Sequence, residues 1–156
     1  MPESIVIVAA RRTPIGGFQG IFSPVAATQL GSFAAAAALA DSGLSPDAID
    51  EVIFGCVLPA GLGQAPARQA AVGAGIALSV PATTVNKMCG SGMKAVMLAA
   101  DQIRAGSARA ILAGGLESMT NAPYLMLKAR AGYRMGHAEI YDHMFYDGLQ
   151  SPWDGK

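Results

Sequence analysis

The sequence is poor in charge and in cysteine, and it has no hydrophobic run long enough to cross a membrane. Charged residues make up 14% of the 156 residues, 11 of them basic and 11 acidic. Because neither sign forms a run, the basic patch of a protein that binds nucleic acid or an anionic membrane is missing. The longest apolar run, residues 33–40, is far shorter than the roughly 20 residues of a membrane span. We therefore expect neither nucleic acid nor a membrane as a partner.

Cysteine is scarce as well, which excludes a small disulfide-stabilised scaffold. Cys56 and Cys89 are the two cysteines, and this number is typical of free thiols in a reducing compartment. Residues 1–4 carry no basic segment ahead of the short apolar stretch that follows, so a secretory signal is not expected. Together these features predict a cytoplasmic protein.

What the sequence does contain is an alternation of strand-like and helical segments. The strand-like segments are residues 5–10, 51–57, 82–88 and 109–115. Helical patterns lie between them: one with Ser23 as N-cap and Pro24 at the first helical position, ending at Gly43, one over 66–78, and one from after Cys89 to Gly106. This alternation predicts an α/β fold, with a mixed, mainly parallel sheet and helices on both faces.

Two further regions have distinct patterns. In the last of these helices, Met93, Val96 and Met97 recur at helical spacing, and we expect this face to be buried. After about residue 119, both helical and strand periods are lost, and both histidines, His137 and His143, lie in this tail. The tail is typical of a long functional loop or of the start of another domain.

Cys89 lies between a strand end and a helix start, which favours a nucleophilic role. The free N–H groups of a first helical turn act like about half a positive charge, and this stabilises the thiolate, the nucleophilic form of cysteine. Gly90 and Gly92 leave room beside the sulfur for a substrate carbonyl. The N–H of Cys89 is placed to donate to the oxyanion that forms there. Cys56, within an apolar strand, is expected to be a small buried residue.

The same segment also allows a different interpretation. Gly90, Gly92 and Ala95 have the spacing of a G-x-G-x-x-A dinucleotide motif, and Glu117 follows the next strand, where a ribose-binding acid would lie. Against a dinucleotide-binding module, the motif falls in the third strand–helix cycle and a cysteine directly precedes its first glycine.

Four segments in order resemble one enzyme family. Residues 85–96, VNKMCGSGMKAV, closely resemble the nucleophile segment of the thiolases, the acetyl-CoA acetyltransferase family. Residues 8–16, 66–71 and 113–124 resemble the family's first strand and turn, its second helix and the segment leading into its loop domain. The resemblance thus covers essentially the whole chain.

The resemblance implies a specific reaction. Cys89 would attack an acyl-CoA thioester to give an acyl-enzyme and free CoA, and a second, deprotonated acetyl-CoA would attack that acyl group to form acetoacetyl-CoA. The reverse direction is thiolysis. No metal and no separate cofactor are expected, because coenzyme A is carried by the substrate. Asn86, Lys87, Met88 and Ser91 are assigned to shaping the turn and packing the helix.

The resemblance also implies what this chain lacks. Thiolases are more than twice this length, and their activating histidine, the histidine and asparagine at the thioester oxygens and their second catalytic cysteine lie in the C-terminal half. We therefore expect residues 1–118 to be the N-terminal α/β domain, 119–156 the start of the loop domain, and the C-terminal domain to be absent. Neither His137 nor His143 is expected to be a general base. The isolated chain should be inactive and the full-length protein a homo-oligomer, dimer or tetramer; the alternative is a non-catalytic association fragment.

Overall fold

A three-stranded parallel sheet forms the centre of the computed structural model, which describes residues 4–155. Its strands are β1 (Glu51–Gly55), β2 (Ala82–Val85) and β3 (Ile111–Gly115). β1 lies in the middle and pairs in parallel with β2 on one side and β3 on the other. All three carboxyl ends therefore meet at one edge of the sheet, and this edge carries the candidate site.

Helices cover both faces of this sheet, as predicted. α1 (Ala27–Ser42) and α2 (Pro66–Gly73) pack against each other, and α2 contacts β1 and β2. α3 (Ser91–Arg104) packs against β1 and β3. Because side chains alternate across a strand, Val52 and Phe54 join the core cluster beneath α1 and α2, whereas Gly55 meets the start of α3.

The predicted first strand, residues 5–10, is wrong. The segment forms no strand, and the described sheets do not include it. Val6, Ile7 and Val8 are 69%, 79% and 60% exposed. A β-branched run favours extended backbone, but a strand also needs a hydrogen-bonded neighbour and a covered apolar face, and this segment has neither.

The start of the first helix also differs from the prediction. Ser23 is not its N-cap, because the Ser23 hydroxyl donates to the carbonyl of Gly20 within a turn. α1 instead begins three residues after Pro24, and the N–H of its N-cap, Ala26, donates to Gln29 Oε1 at 3.0 Å. The predicted end is confirmed, since Gly43 closes the helix at a φ of 69°, a conformation that glycine adopts without a steric cost.

The buried face of α3 is not the one that its largest apolar residues predicted. Met93 and Met97 are 72% and 52% exposed, and the buried residues are Ser91, Ala95 and Ala99. Small side chains allow this helix to approach the strands closely. Both sides of the helix carry apolar residues at helical spacing. The side with the smaller residues is the one packed against the sheet, because it allows the closer approach.

The tail after residue 119 forms a small substructure of its own. β4 (Tyr124–Leu125) and β5 (Tyr141–Asp142) pair antiparallel, and a π-helical turn (Met144–Leu149) follows after His143.

Within residues 4–155, no helix combines the length and the apolar character needed to cross a bilayer.

Candidate active site

Cys89 is exposed at the start of α3, close to the carboxyl ends of the central strands. β2 ends at Val85, and the chain reaches Cys89 through a short turn before Gly90 caps the helix. α3 has 14 residues, so the unpaired N–H groups and the dipole of a full helix favour negative charge at this end. The predicted position of Cys89, between a strand and a helix N-terminus, is confirmed.

The turn before Cys89 is held by hydrogen bonds from the side chains of the motif. Met88 has a φ of 48°, which is uncommon for a residue other than glycine and occurs often at functional sites. Asn86 Oδ1 accepts from the N–H of Met88 at 2.9 Å. The Ser91 hydroxyl accepts from the N–H of Lys87 at 2.8 Å and donates to the carbonyl of Met88 at 2.5 Å. Asn86 and Ser91 thus shape the turn, as predicted.

A glycine in β1, not those beside Cys89, controls how close the helix lies to the sheet. A Cβ added at Gly55 would lie 2.4 Å from the Ser91 carbonyl carbon and 2.6 Å from the Gly92 nitrogen. Added at Gly90 or Gly92, it would meet its nearest atom at 3.5 Å or 3.7 Å, which is ordinary contact. Sequence reasoning missed Gly55, although a glycine in a strand often marks a close backbone approach.

Cys89 lines a cavity of about 420 Å³, a size typical of small-molecule sites. One wall is the strand ends and the start of α3, a second is the loop after β1, and a third is the π-helical turn. The residues from the second and third walls are Val57, Leu58, Met144, Gly148 and Leu149. Methionine, leucine and glycine predominate in the lining, so the cavity is suited to an apolar group bound beside the sulfur.

Glu117 also lines this cavity, but its carboxylate is already bonded to the protein. Its Oε2 accepts from the N–H of Val57 at 2.8 Å, and its Oε1 accepts from the N–H of Leu58 at 3.0 Å. Because both oxygens fix the loop after β1, Glu117 is not free to bind a ribose. The geometry therefore gives no support to the dinucleotide-binding alternative.

Cys56 lies in an environment opposite to that of Cys89. Its side chain is 2% exposed, and its Sγ lies 3.6 Å from Glu117 Oε1. Burial, followed by the negative charge of Glu117 and a hydrogen bond to it, raises the pKa of the Cys56 thiol to about 12. As predicted, Cys56 is a buried thiol, and it remains protonated at neutral pH.

The two histidines have different surroundings, and neither lines the cavity. His137 is exposed. His143 is only 4% exposed; its Nδ1 lies 2.6 Å from Asp147 Oδ2, and its Nε2 accepts from the N–H of Ala60 at 3.3 Å. That neither histidine is a general base stays a prediction, but the sequence did not predict that His143 would be buried and hydrogen-bonded. The four-residue spacing of His143 and Asp147 could have indicated a contact between them, because residues four apart lie on one side of a helical turn.

Comparison with known proteins finds a matching family model and several similar proteins. Residues 5–156 match the family model described as "Thiolase, N-terminal domain". Acetyl-CoA acetyltransferase 2 of Arabidopsis thaliana is 54% identical over 98% of this chain and 37% of that protein. Acetyl-CoA acetyltransferase of Pseudomonas aeruginosa is 52% identical over 97% of this chain and 38% of its own length. The corresponding protein of Schizosaccharomyces pombe is 49% identical over 97% and 38%. The chain thus spans little more than a third of the curated relatives it matches.

Proposed function

The chain belongs to the thiolase family, and we propose that it is the part of an acetyl-CoA acetyltransferase that carries the nucleophile, Cys89. One observation carries the proposal: an exposed thiol at the N-terminus of a long helix opens onto an apolar cavity of about 420 Å³. The relatives named acetyl-CoA acetyltransferase support acetyl-CoA as the substrate. We also propose residues 1–118 as the α/β domain and 119–156 as the start of the loop domain, which is supported by the change from the parallel sheet to a separate two-stranded sheet after β3.

The first half-reaction in this proposal is acyl transfer to Cys89. The thiolate attacks the thioester carbonyl, a new C–S bond forms, the bond to the CoA sulfur breaks, and CoA leaves as its thiol after taking up a proton. The N–H of Cys89 supports this step, because it lies at the helix start, where an N–H can donate to the oxyanion on the attacked carbonyl. No metal and no separate cofactor are part of the proposal, since the substrate brings its own CoA.

The second half-reaction needs a base for the methyl proton of another acetyl-CoA. Of the described residues that line the cavity, only Cys89 and Glu117 are titratable, and Glu117 accepts two backbone hydrogen bonds. We therefore propose that the base for carbon–carbon bond formation belongs to the part of the protein that corresponds to the rest of the relatives. By itself, this chain would perform acyl transfer at most.

Thiolysis of acetoacetyl-CoA tests the complete proposal. The chain is co-expressed with the C-terminal part of the Pseudomonas aeruginosa relative, and the same pair is prepared with Cys89→Ala and with Cys56→Ala. We expect Cys89→Ala to lower kcat at least about 10³-fold, because the covalent step is lost, and Cys56→Ala to retain most of the activity. Thiolysis that persists in Cys89→Ala contradicts the assignment.

A non-catalytic association role is the second candidate, and the exposed apolar side chains favour it. Met93, Val96 and Met97 on α3 are exposed, and apolar patches of this kind often mark protein contacts. We propose a homo-oligomer for the full protein. Light scattering and the acyl-transfer assay, both on the chain co-expressed with the C-terminal part of the Pseudomonas aeruginosa relative, separate the two candidates: self-association without any acyl transfer to Cys89 supports the second, and acyl transfer supports the first.

We also propose a cytoplasmic location. Both thiols are free, and nothing in their positions suggests a disulfide, since Cys56 is buried and Cys89 is exposed. Such thiols are typical of a reducing compartment. Fractionation of cells that express the protein from its own gene tests this location.

A further inference from the structure

Among the titratable side chains that the structure describes in the tail, that of His143 is the most deeply buried, and the acyl-transfer chemistry makes no use of it. Its side chain is 5% exposed, against 44% for that of its partner, Asp147. A buried polar side chain is retained in a fold when its hydrogen bonds are made. Both ring nitrogens of His143 have partners, Asp147 through Nδ1 and Ala60 through Nε2.

The two partners determine which nitrogen carries the proton. A carboxylate can only accept, so Nδ1 must donate to Asp147; the N–H of Ala60 can only donate, so Nε2 must accept. Both requirements are met by the neutral ring with its proton on Nδ1, and Asp147 thereby selects this tautomer. A doubly protonated ring would direct a second N–H at the N–H of Ala60 and lose that contact.

These contacts join two walls of the Cys89 cavity. Ala60 follows Val57 and Leu58 in the loop after β1, and both of those residues line the cavity. His143 directly precedes the π-helical turn, which supplies Met144, Gly148 and Leu149 to the lining.

The two walls also lie close together. A Cβ added at Gly148 would lie 3.1 Å from the Leu58 side chain. The hydrogen bond between Ala60 and His143 Nε2 thus joins the two walls where they approach each other. π-Helical turns are uncommon and occur frequently at functional sites.

We propose that His143 is a positioning residue for the Cys89 cavity. By accepting from the N–H of Ala60 it holds the π-helical turn against the loop after β1, and this fixes the apolar wall against which the substrate's acyl group packs. His143 itself does not touch the reacting atoms. The proposal rests on the proposed function only in that Cys89 is taken as the reacting group.

Two alkylating reagents distinguish an effect on the apolar wall of the cavity from an effect on the reactivity of the Cys89 thiol. Iodoacetamide and N-hexyl iodoacetamide react with Cys89 in the same way, since Sγ forms a bond to carbon and iodide leaves, but only the hexyl reagent gains from packing in the cavity. The quantity measured is the hexyl preference, which is the rate of modification of Cys89 by N-hexyl iodoacetamide divided by its rate with iodoacetamide. We expect His143→Ala to lower this hexyl preference about tenfold, as when roughly two methylene groups lose apolar contact. The iodoacetamide rate should stay within twofold.

Two conservative variants dissect the contacts and control for general damage to the fold. The oxygen of Gln in His143→Gln can replace Nε2 as the acceptor for Ala60, whereas the amide of Asn in His143→Asn replaces only the Nδ1 donor to Asp147. We expect His143→Gln to restore most of the hexyl preference and His143→Asn to leave it low. His137→Ala, which removes the exposed histidine of the same tail, should leave the preference unchanged.

The proposal is overturned if His143→Asn restores the hexyl preference as well as His143→Gln does, or if His143→Ala matches His137→Ala. Should His143→Ala fail to fold, the comparison between Gln and Asn still decides the question. Neither reagent contains CoA, so the alkylation test does not depend on acetyl transfer. If acetyl transfer from acetyl-CoA fails, the proposed function is contradicted, but the effect of His143 on the hexyl preference can still be measured.

Discussion

At the scale of single residues, the two cysteines show how position in the fold separates a reactive thiol from an inert one. Cys89 is exposed at a helix N-terminus, and Cys56 is 2% exposed beside Glu117. Sequence reasoning predicted both environments, because a cysteine within an apolar strand and one before a glycine-rich helix start differ in local pattern. It did not predict the contact between Cys56 and Glu117, which are 61 residues apart.

Alkylation should distinguish the two thiols at once. At pH 8, iodoacetamide is expected to modify Cys89 more than about 100-fold faster than Cys56, because the thiolate is the reacting form and the pKa of Cys56 is raised to about 12. Peptide mass mapping over a time course gives both rates. Comparable labelling of the two cysteines in the folded protein would contradict this account of Cys56.

The raised pKa of Cys56 also predicts a pH dependence of stability. Between its ordinary pKa, near 9, and about 12, the folded protein retains a proton that the unfolded chain has released. The stabilisation is therefore present below pH 9 and is lost as the pH rises, with a slope of at most about 1.4 kcal/mol per pH unit for one proton. Urea unfolding from pH 8 to 11 measures it, and Cys56→Ala should show a shallower decline; equal slopes would exclude a contribution from this thiol.

At the scale of elements, the site depends on how closely α3 approaches β1. Gly55 permits a backbone contact that no other residue allows, and the buried side of α3 consists of small residues. The sequence predicted that α3 would exist and where it would begin. It could not predict which face would be buried, because that depends on the strand residues opposite.

Replacing Gly55 by alanine should therefore destabilise the fold. The added Cβ would overlap the backbone of Ser91 and Gly92, and overpacking of this kind costs about 1 to 3 kcal/mol. Gly17→Ala is the matched control, since beyond the adjacent residues no described atom lies within 4 Å of a Cβ there. The two free energies of unfolding from urea titration make the comparison, and equal values would contradict the close packing of α3 on β1.

The exposed face of α3 gives a second test at this scale. Met93→Gln should change the free energy of unfolding by less than about 0.5 kcal/mol, because Met93 is 72% exposed. Ala95→Gln should cost more than about 2 kcal/mol, because Ala95 is fully buried and an amide there would lack partners. If Met93→Gln proves the more damaging of the two, the helix is oriented as its large apolar residues had predicted.

At the scale of the whole molecule, the alternation of strands and helices and the nucleophile segment could be predicted from the sequence. These features depend on local pattern and on the order of motifs along the chain. The prediction failed for residues 5–10, which look like a strand but have no paired neighbour. It also did not include the burial of His143, whose partner Ala60 lies 83 residues away. Pairing and burial depend on distant parts of the chain, which a local pattern does not contain.

The central claim is that Cys89 is the residue that receives the acyl group. The most direct measurement is acid-quenched peptide mass mapping of the first turnover, after the chain, co-expressed with the C-terminal part of the Pseudomonas aeruginosa relative, is mixed with acetyl-CoA and the released CoA is quantified in parallel. The account predicts one acetyl group on the Cys89 peptide for each CoA released, and none on that peptide in Cys89→Ala. An acetyl group on another residue, or CoA release that continues unchanged in Cys89→Ala, would contradict it.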